Sequence, residues 1–224
     1  MLLRAKFYFL FLLLCCGFGM PDLQAQQSEK LILLKISPQH FAINGMHFEL
    51  EKQVSATSAN SILISPRIYY GSVSSILTNR FTPNNNETLF GYGLELGYRI
   101  YADKAEQKPE GFYSAFAANY HRFQFKYPGI ENYFYTGEDG LEYIGTREAM
   151  VQENVNRYGG SVTMGYQLLL LQDKFVVDVY TGGGVKLSDS DTRENRSRYS
   201  MGAYDYASSK TFFILGVKLG LTLN

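Results

Sequence analysis

Hydrophobic and polar residues alternate with a period of two along most of the chain beyond residue 30. Residues 213–224 show the pattern most clearly: the odd positions hold only Phe, Leu and Val, and the even positions are Gly, Lys, Thr and Asn apart from Ile214. A period of two is the spacing of side chains on one face of a β-strand. The pattern therefore predicts a strand with one continuously apolar face.

Eight segments of the chain share this alternation. They are residues 31–38, 45–54, 61–71, 89–101, 112–127, 158–171, 175–188 and 213–224. In the fifth segment the apolar phase changes at Phe123, which predicts either a bulge or an extension of the strand above a membrane. No repeat or change in composition suggests a second domain.

The connections between these segments alternate in length, apart from a first connection of about six residues. The long ones are residues 72–88, 128–157 and 189–210, and the shorter ones are 55–60, 102–111 and 172–174. Alternation of long loops and short turns is typical of barrels that cross the bacterial outer membrane. The expected fold class is all-β, an eight-stranded antiparallel up-and-down transmembrane β-barrel.

The first 25 residues have the layout of a secretory signal peptide. Arg4 and Lys6 precede an apolar run at residues 7–20, and the small residue Ala25 follows. Fourteen apolar residues are fewer than the roughly 20 that a spanning helix needs, although an uncleaved anchor is an alternative. We expect residues 1–25 to be the signal peptide and residues 26–224 to be the barrel domain.

Composition narrows the function classes. The chain has 21 glycines, 15% aromatic residues without tryptophan, 19% charged residues and a formal net charge of zero. These values exclude a disordered chain, a coiled coil and a helical membrane protein, and they give no reason to expect a nucleic-acid partner. The two cysteines, Cys15 and Cys16, leave with the signal peptide, unless one of them is the attachment site of a lipoprotein.

Alternation alone does not show which face of the barrel points inward. A soluble lipocalin-like periplasmic carrier would place its apolar face inside. The polar face, however, carries many glycines, which suit close packing in a narrow lumen, and its charges nearly balance. Together with the signal peptide and the cysteine-free mature chain, these features favour apolar side chains outside, facing lipid.

An eight-stranded barrel has a lumen just wide enough for side chains. The inward charges are therefore expected to form a hydrogen-bonded plug, which excludes a wide diffusion channel. These charges are Lys35, Glu49, Glu51, Arg67, Glu95, Arg99, Asp178, Lys186 and Lys218. Aromatic residues near the strand ends are expected to form interfacial girdles: Tyr98, Tyr101, Phe112, Tyr113 and Phe175 at one end, and Tyr70, Phe90 and Tyr158 at the other.

The signal peptide, the eight strands and the amphipathic terminal strand at residues 213–224 resemble the small OmpA/OmpX-like outer-membrane β-barrels of Gram-negative bacteria. The resemblance covers residues 31–224 and rests on architecture. It implies a location in the outer membrane, contact with outer-membrane lipid, and recognition of the terminal strand by the barrel-assembly machinery during biogenesis.

Signals for chemistry are weak. Some eight-stranded barrels modify lipid, and they resemble hydrolases with His and Ser near the outer edge of the membrane. Here His40 lies near Ser37, but no acidic residue nearby would orient the imidazole. We therefore expect no catalytic, cofactor or metal site, with a lipid-modifying enzyme as the alternative.

The longest connection is the best candidate for recognition. Residues 128–157 hold six acidic and two basic residues together with several tyrosines. Tyr-rich exposed loops are good recognition surfaces, although such segments can equally be hairpin extensions that pack on each other. The expected function is a structural or surface-recognition role, with a surface partner of unknown identity.

Overall fold

The computed structural model describes residues 30–73, 86–102, 107–191, 197–200 and 205–223. The predicted signal peptide, residues 1–25, lies outside these ranges and stays a prediction. Within them, no helix has the length and apolarity needed to cross a bilayer.

Eight antiparallel strands close into a barrel, which confirms the predicted architecture. Each strand pairs with the next, and β1 closes the ring by pairing with β8. The strands are β1 Ile32–Ile36, β2 Gly45–Ser55, β3 Ser58–Ser72, β4 Thr88–Tyr101, β5 Gly111–Thr136, β6 Glu142–Leu170, β7 Phe175–Ser190 and β8 Thr211–Thr222.

The two ends of the barrel differ. We call one the turn end, where residues 56–57, 102–110 and 171–174 join neighbouring strands. The other is the loop end, which carries the remaining connections. The first of these is a short 3-10 helix, η1 (Pro38–Ile43), and its shortness accounts for the exception in the length pattern.

The apolar faces point outward and the polar faces point into the lumen. Ile62, Leu96 and Val162 are each about half exposed, at 49%, 52% and 49%, whereas the alternate positions Ser61 and Arg99 are buried. This arrangement confirms the predicted orientation. It contradicts the orientation of a lipocalin-like carrier, which requires the apolar face inside.

The phase change at Phe123 does not reflect a bulge. Pairing between β5 and β6 is unbroken from Gly111 to Thr136, and β4 also pairs with β5 in constant register. Phe123 and Phe125 point inward as the alternation requires, because the lumen at the loop end is filled with aromatic rings.

The predicted extension of the strand is confirmed. Strand β4 pairs with β5 only as far as Lys126, and β7 pairs with β6 only from Val155 onward. Residues 127–151 therefore leave the barrel as a two-stranded hairpin, which we call the ribbon. Most of the segment expected as a loop at 128–157 is strand.

Candidate functional site in the barrel lumen

Glycines on the inner face give the lumen room for long charged side chains. A Cβ added at Gly220 would lie 3.0 Å from the Cα of Lys35, and one added at Gly97 would lie 2.9 Å from the carbonyl oxygen of Phe116. Both distances are shorter than ordinary contacts of a Cβ, so a side chain larger than that of glycine would displace its neighbours at these positions. The lumen contents form three layers between the turn end and the loop end: an ion cluster, a cavity and an aromatic lid.

The ion cluster consists of three cations and three carboxylates. Lys35 Nζ lies 2.5 Å from Glu51, 2.9 Å from Glu49 and 3.3 Å from Asp178. Arg99 contacts the same three carboxylates at 3.0–3.2 Å. The set is completed by Lys218, which pairs with Glu49. Except for Lys218, which is slightly exposed, these side chains are almost wholly shielded from solvent, so each charge depends on its partners for solvation.

Neutral side chains add further hydrogen bonds to the ion cluster. Gln167 Oε1 accepts hydrogen bonds from Lys35 at 2.6 Å and from Arg99 at 2.7 Å. The Tyr101 hydroxyl donates to Glu51 at 2.8 Å, and the Tyr113 hydroxyl donates to Asp178 at 2.6 Å. The ion cluster and these neutral side chains therefore form one hydrogen-bonded network with members on seven strands, all but β3.

Two members of this network correct the predicted girdle. Tyr101 and Tyr113 are 1% and 3% exposed and point into the lumen. The alternation explains why: Tyr101 is three residues from outward-facing Tyr98, and Tyr113 is next to outward-facing Phe112. The other predicted girdle residues point outward.

The nine predicted lumen charges do not form one network. Six of them form the ion cluster. Arg67 and Glu95 form a separate pair at 2.5 Å, and Lys186 donates to the main-chain oxygen of Asp205 at 3.2 Å. Gln167, Tyr101 and Tyr113 were missing from the predicted set, although their positions in the alternation place them on the inner face.

A cavity of about 220 Å³ lies above the ion cluster. Glu49 and Arg99 of the cluster contribute to its lining, as do Arg67 and Glu95. Its wall includes two adjacent cross-strand rows of inward residues. One row is Ser65, Glu95, Asn119, Gly159 and Lys186, and the other is Arg67, Gly93, His121 and Arg157.

The aromatic lid fills the loop end. Tyr199 and Tyr206, from the connection between β7 and β8, pack against Phe123 and Phe125. The rings of Phe125 and Tyr199 stack with centroids 4.1 Å apart. Glu87 anchors this connection by accepting hydrogen bonds from the Tyr199 hydroxyl at 3.0 Å and from Arg198 at 2.6 Å.

The histidine and serine considered for catalysis lie inside the barrel. Helix η1 lies at the loop end with none of its residues fully buried, and its Gln39 amide donates to the lumen-facing Tyr180 hydroxyl at 3.1 Å. His40 stacks on His47 with ring centroids 3.5 Å apart, and Ser37 is buried. No group of three metal-binding side chains was found among the residues that the structure describes.

The ribbon is the most exposed part of the structure. Ile130, Phe134 and Ile144 are 72%, 72% and 65% exposed. At its tip the Tyr143 hydroxyl and the Leu141 N–H donate to Asp139, and these hydrogen bonds hold the pKa of the Asp139 carboxyl below its usual range. Because β5 and β6 stay paired up to Thr136 and Glu142, this segment is a hairpin extension, as one of the two interpretations expected.

Comparisons with known proteins place little constraint on function. No protein-family model matches the chain, and no curated protein matches it. Among solved structures, the crystal structure of Acinetobacter baumannii CarO aligns with 88% of this chain and 99% of its own, at 12% identity and a TM-score of 0.35. A similarity at this level carries no argument about function.

Proposed function

We propose that the protein is a small outer-membrane β-barrel with a structural or surface-recognition role, a plugged lumen and no catalytic activity. One observation carries this proposal: a closed sheet has its apolar side chains outside and its charges inside. A soluble barrel would gain nothing from exposing Leu96, Val162 and Leu215 to water, whereas lipid favours them.

The ends of the outer surface support a membrane position. Phe112 and Phe175 lie on the outer surface near the turn end, and Tyr70 lies there near the loop end. Aromatic side chains at the two ends of an apolar band match the girdles of outer-membrane barrels. Outer-membrane lipid is thus the proposed surrounding medium, and the barrel-assembly machinery the proposed partner during biogenesis.

The filled lumen supports a role other than diffusion. The ion cluster blocks the path near the turn end, and the aromatic lid blocks it at the loop end. No acidic side chain of the described ranges contacts His40, which is half-buried and lines the cavity, and this supports a protein without catalysis. Resemblance to the OmpA/OmpX-like barrels stays a prediction within this proposal.

The ribbon supports the recognition role. The outer face of β5 becomes polar at Arg122 and Lys126, which separate the apolar band from the ribbon. Ile130 lies ten residues beyond Tyr120, which corresponds to roughly 34 Å of strand. The exposed side chains of Ile130, Phe134 and Ile144 are therefore proposed to lie above the membrane and to meet a surface partner.

Cysteine labelling of intact cells tests this proposal, because the mature chain has no other cysteine. Glu138→Cys places a thiol at the ribbon tip, and Lys174→Cys is the matched control at the turn end; both positions are exposed. We expect a membrane-impermeant maleimide to label the Glu138→Cys variant in intact cells and the Lys174→Cys variant only after lysis. Labelling of the Lys174→Cys variant alone would invert the topology, and labelling of neither in intact cells would contradict surface exposure.

A further inference from the structure

The cavity between the ion cluster and the aromatic lid contains more positive than negative charge. Its lining includes five cationic side chains but only two carboxylates, Glu49 and Glu95. Glu49 is bound by Arg99 and Lys218, and Glu95 is bound by Arg67. The remaining two cations, Arg157 and Lys186, carry the excess.

Arg157 contacts only neutral groups among the residues that the structure describes, and Lys186 has one acidic neighbour there, the buried Asp205, so the two cations still outnumber the acidic groups around them. Arg157 Nη1 lies 3.5 Å from the main-chain oxygen of Tyr206, and its guanidinium lies 4.9 Å from the Phe123 ring centroid. Lys186 donates to the main-chain oxygen of Asp205. Neither forms an ion pair with a carboxylate of the described ranges. Because uncompensated charge in a closed lumen is costly, this region favours an anion.

Neutral donors line the same cavity. His121 Nε2 lies 3.3 Å from Arg67 Nη1, which can only donate, so Nε2 is the acceptor and Nδ1 carries the proton. His121 Nδ1 and Ser65 Oγ have no hydrogen-bond partner in the described part of the chain, and both side chains are more than nine-tenths buried. An N–H and an O–H are therefore available in the lining of the cavity that also holds the two cations.

We propose that this cavity binds a small oxyanion, of the phosphate or sulfate type, held by Arg157 and Lys186 and by the N–H of His121 and the O–H of Ser65. Guanidinium and ammonium groups form charge-assisted hydrogen bonds to such anions. The register supports a shared site, because His121 pairs directly with Arg157, and Lys186 on the next strand pairs with Gly159, two residues from Arg157. Ser65 lies on β3, across the lumen from β7, and lines the same cavity.

The size of the cavity limits the ligand. Its volume of about 220 Å³ is below the roughly 300–1,000 Å³ of sites for drug-sized molecules. A free inorganic oxyanion with a few waters fits, whereas a nucleotide, an oligosaccharide or a lipid does not. The proposed site is independent of the surface role, because it belongs to the folded barrel in any medium.

Refolding with labelled phosphate tests the proposal. The mature barrel is refolded in detergent with radiolabelled inorganic phosphate, at constant ionic strength set with chloride, and bound label is counted after gel filtration. We expect about one phosphate per barrel in the wild type. Excess sulfate that displaces the label would show a general oxyanion site, and retention of the label would show selectivity for phosphate; both support the site.

Variants decide which residues hold the anion. Arg157→Gln and Lys186→Gln should each weaken phosphate binding about tenfold or more, and Arg157→Lys should retain part of it. Arg147→Gln, in the exposed ribbon, is the control and should bind like the wild type. Migration of unboiled samples in gels establishes that each variant is folded. Wild-type barrel without bound phosphate or sulfate, or undiminished binding in folded Arg157→Gln barrel, would overturn the proposal.

Discussion

At the residue scale, the buried ion cluster shows what alternation can and cannot predict. Parity within a strand assigns Lys35, Glu49 and Asp178 to the inner face, and all three lie there. Parity does not give height along the barrel axis, so it could not separate the ion cluster from the Arg67–Glu95 pair. Arg157 was assigned to a loop because the polar residues before it hid the continuation of β6.

Removal of Arg99 tests the importance of pairing in the ion cluster. Arg99→Met leaves Glu49, Glu51 and Asp178 with less positive charge in a site closed to water. We expect the free energy of unfolding to fall by about 3–5 kcal/mol, measured by denaturant titration of the barrel in lipid or detergent.

The control for this variant is Arg147→Met, because Arg147 pairs with Glu131 at 2.9 Å on the exposed ribbon. Breaking a solvent-exposed pair should cost less than about 1 kcal/mol. Equal small losses in the two variants would contradict an essential role for buried pairing.

At the element scale, strand number could be predicted because one face of each barrel strand is mostly apolar. The orientation of that face also needed the glycines and nearly balanced charges of the other face, together with the predicted signal peptide. An extension of β5 was one of the predicted alternatives, but the extent of the ribbon could not be predicted, since both of its faces mix apolar and polar residues. Ile130 and Phe134 lie on one face, and Tyr133 and Tyr135 lie on the other. Without a difference between the faces, the period-two signal disappears although the backbone stays extended.

Glycines on β6 and β7 test the packing of the inner face. A Cβ at Gly182, which faces the lumen, would collide with backbone atoms of Val162 and Thr163, whereas the nearest atom to a Cβ at Gly160, on the outer face, is 3.5 Å away. We expect Gly182→Ala to lower the free energy of unfolding by about 1–3 kcal/mol and Gly160→Ala to change it by less than about 0.5 kcal/mol. Denaturant midpoints of the two variants measure this difference, and a larger loss for Gly160→Ala would contradict the assigned faces.

At the scale of the whole molecule, the lumen is filled by side chains from every strand and from the connection between β7 and β8. The lid could not be predicted, because Tyr199 and Tyr206 belong to a segment without periodicity and meet Phe123 and Phe125 through contacts between residues far apart in the sequence. The cavity could not be predicted either, because its lining depends on the relative heights of neighbouring strands in the closed barrel. By contrast, it could be predicted that the apolar face of the sheet is the outer surface of the barrel.

Spin labels on the outer face test that central claim most directly. The labels are attached to the single-cysteine variants Leu96→Cys, Val162→Cys and Leu219→Cys. The native side chains are 52%, 49% and 46% exposed and lie on three different strands. In barrels reconstituted into bilayers, electron paramagnetic resonance measures the collision of each label with dissolved oxygen and with a water-soluble nickel chelate. Because oxygen concentrates in lipid and the chelate stays in water, we expect strong relaxation by oxygen and almost none by the chelate at all three positions. Strong relaxation by the chelate at these positions would contradict a barrel whose apolar face meets lipid.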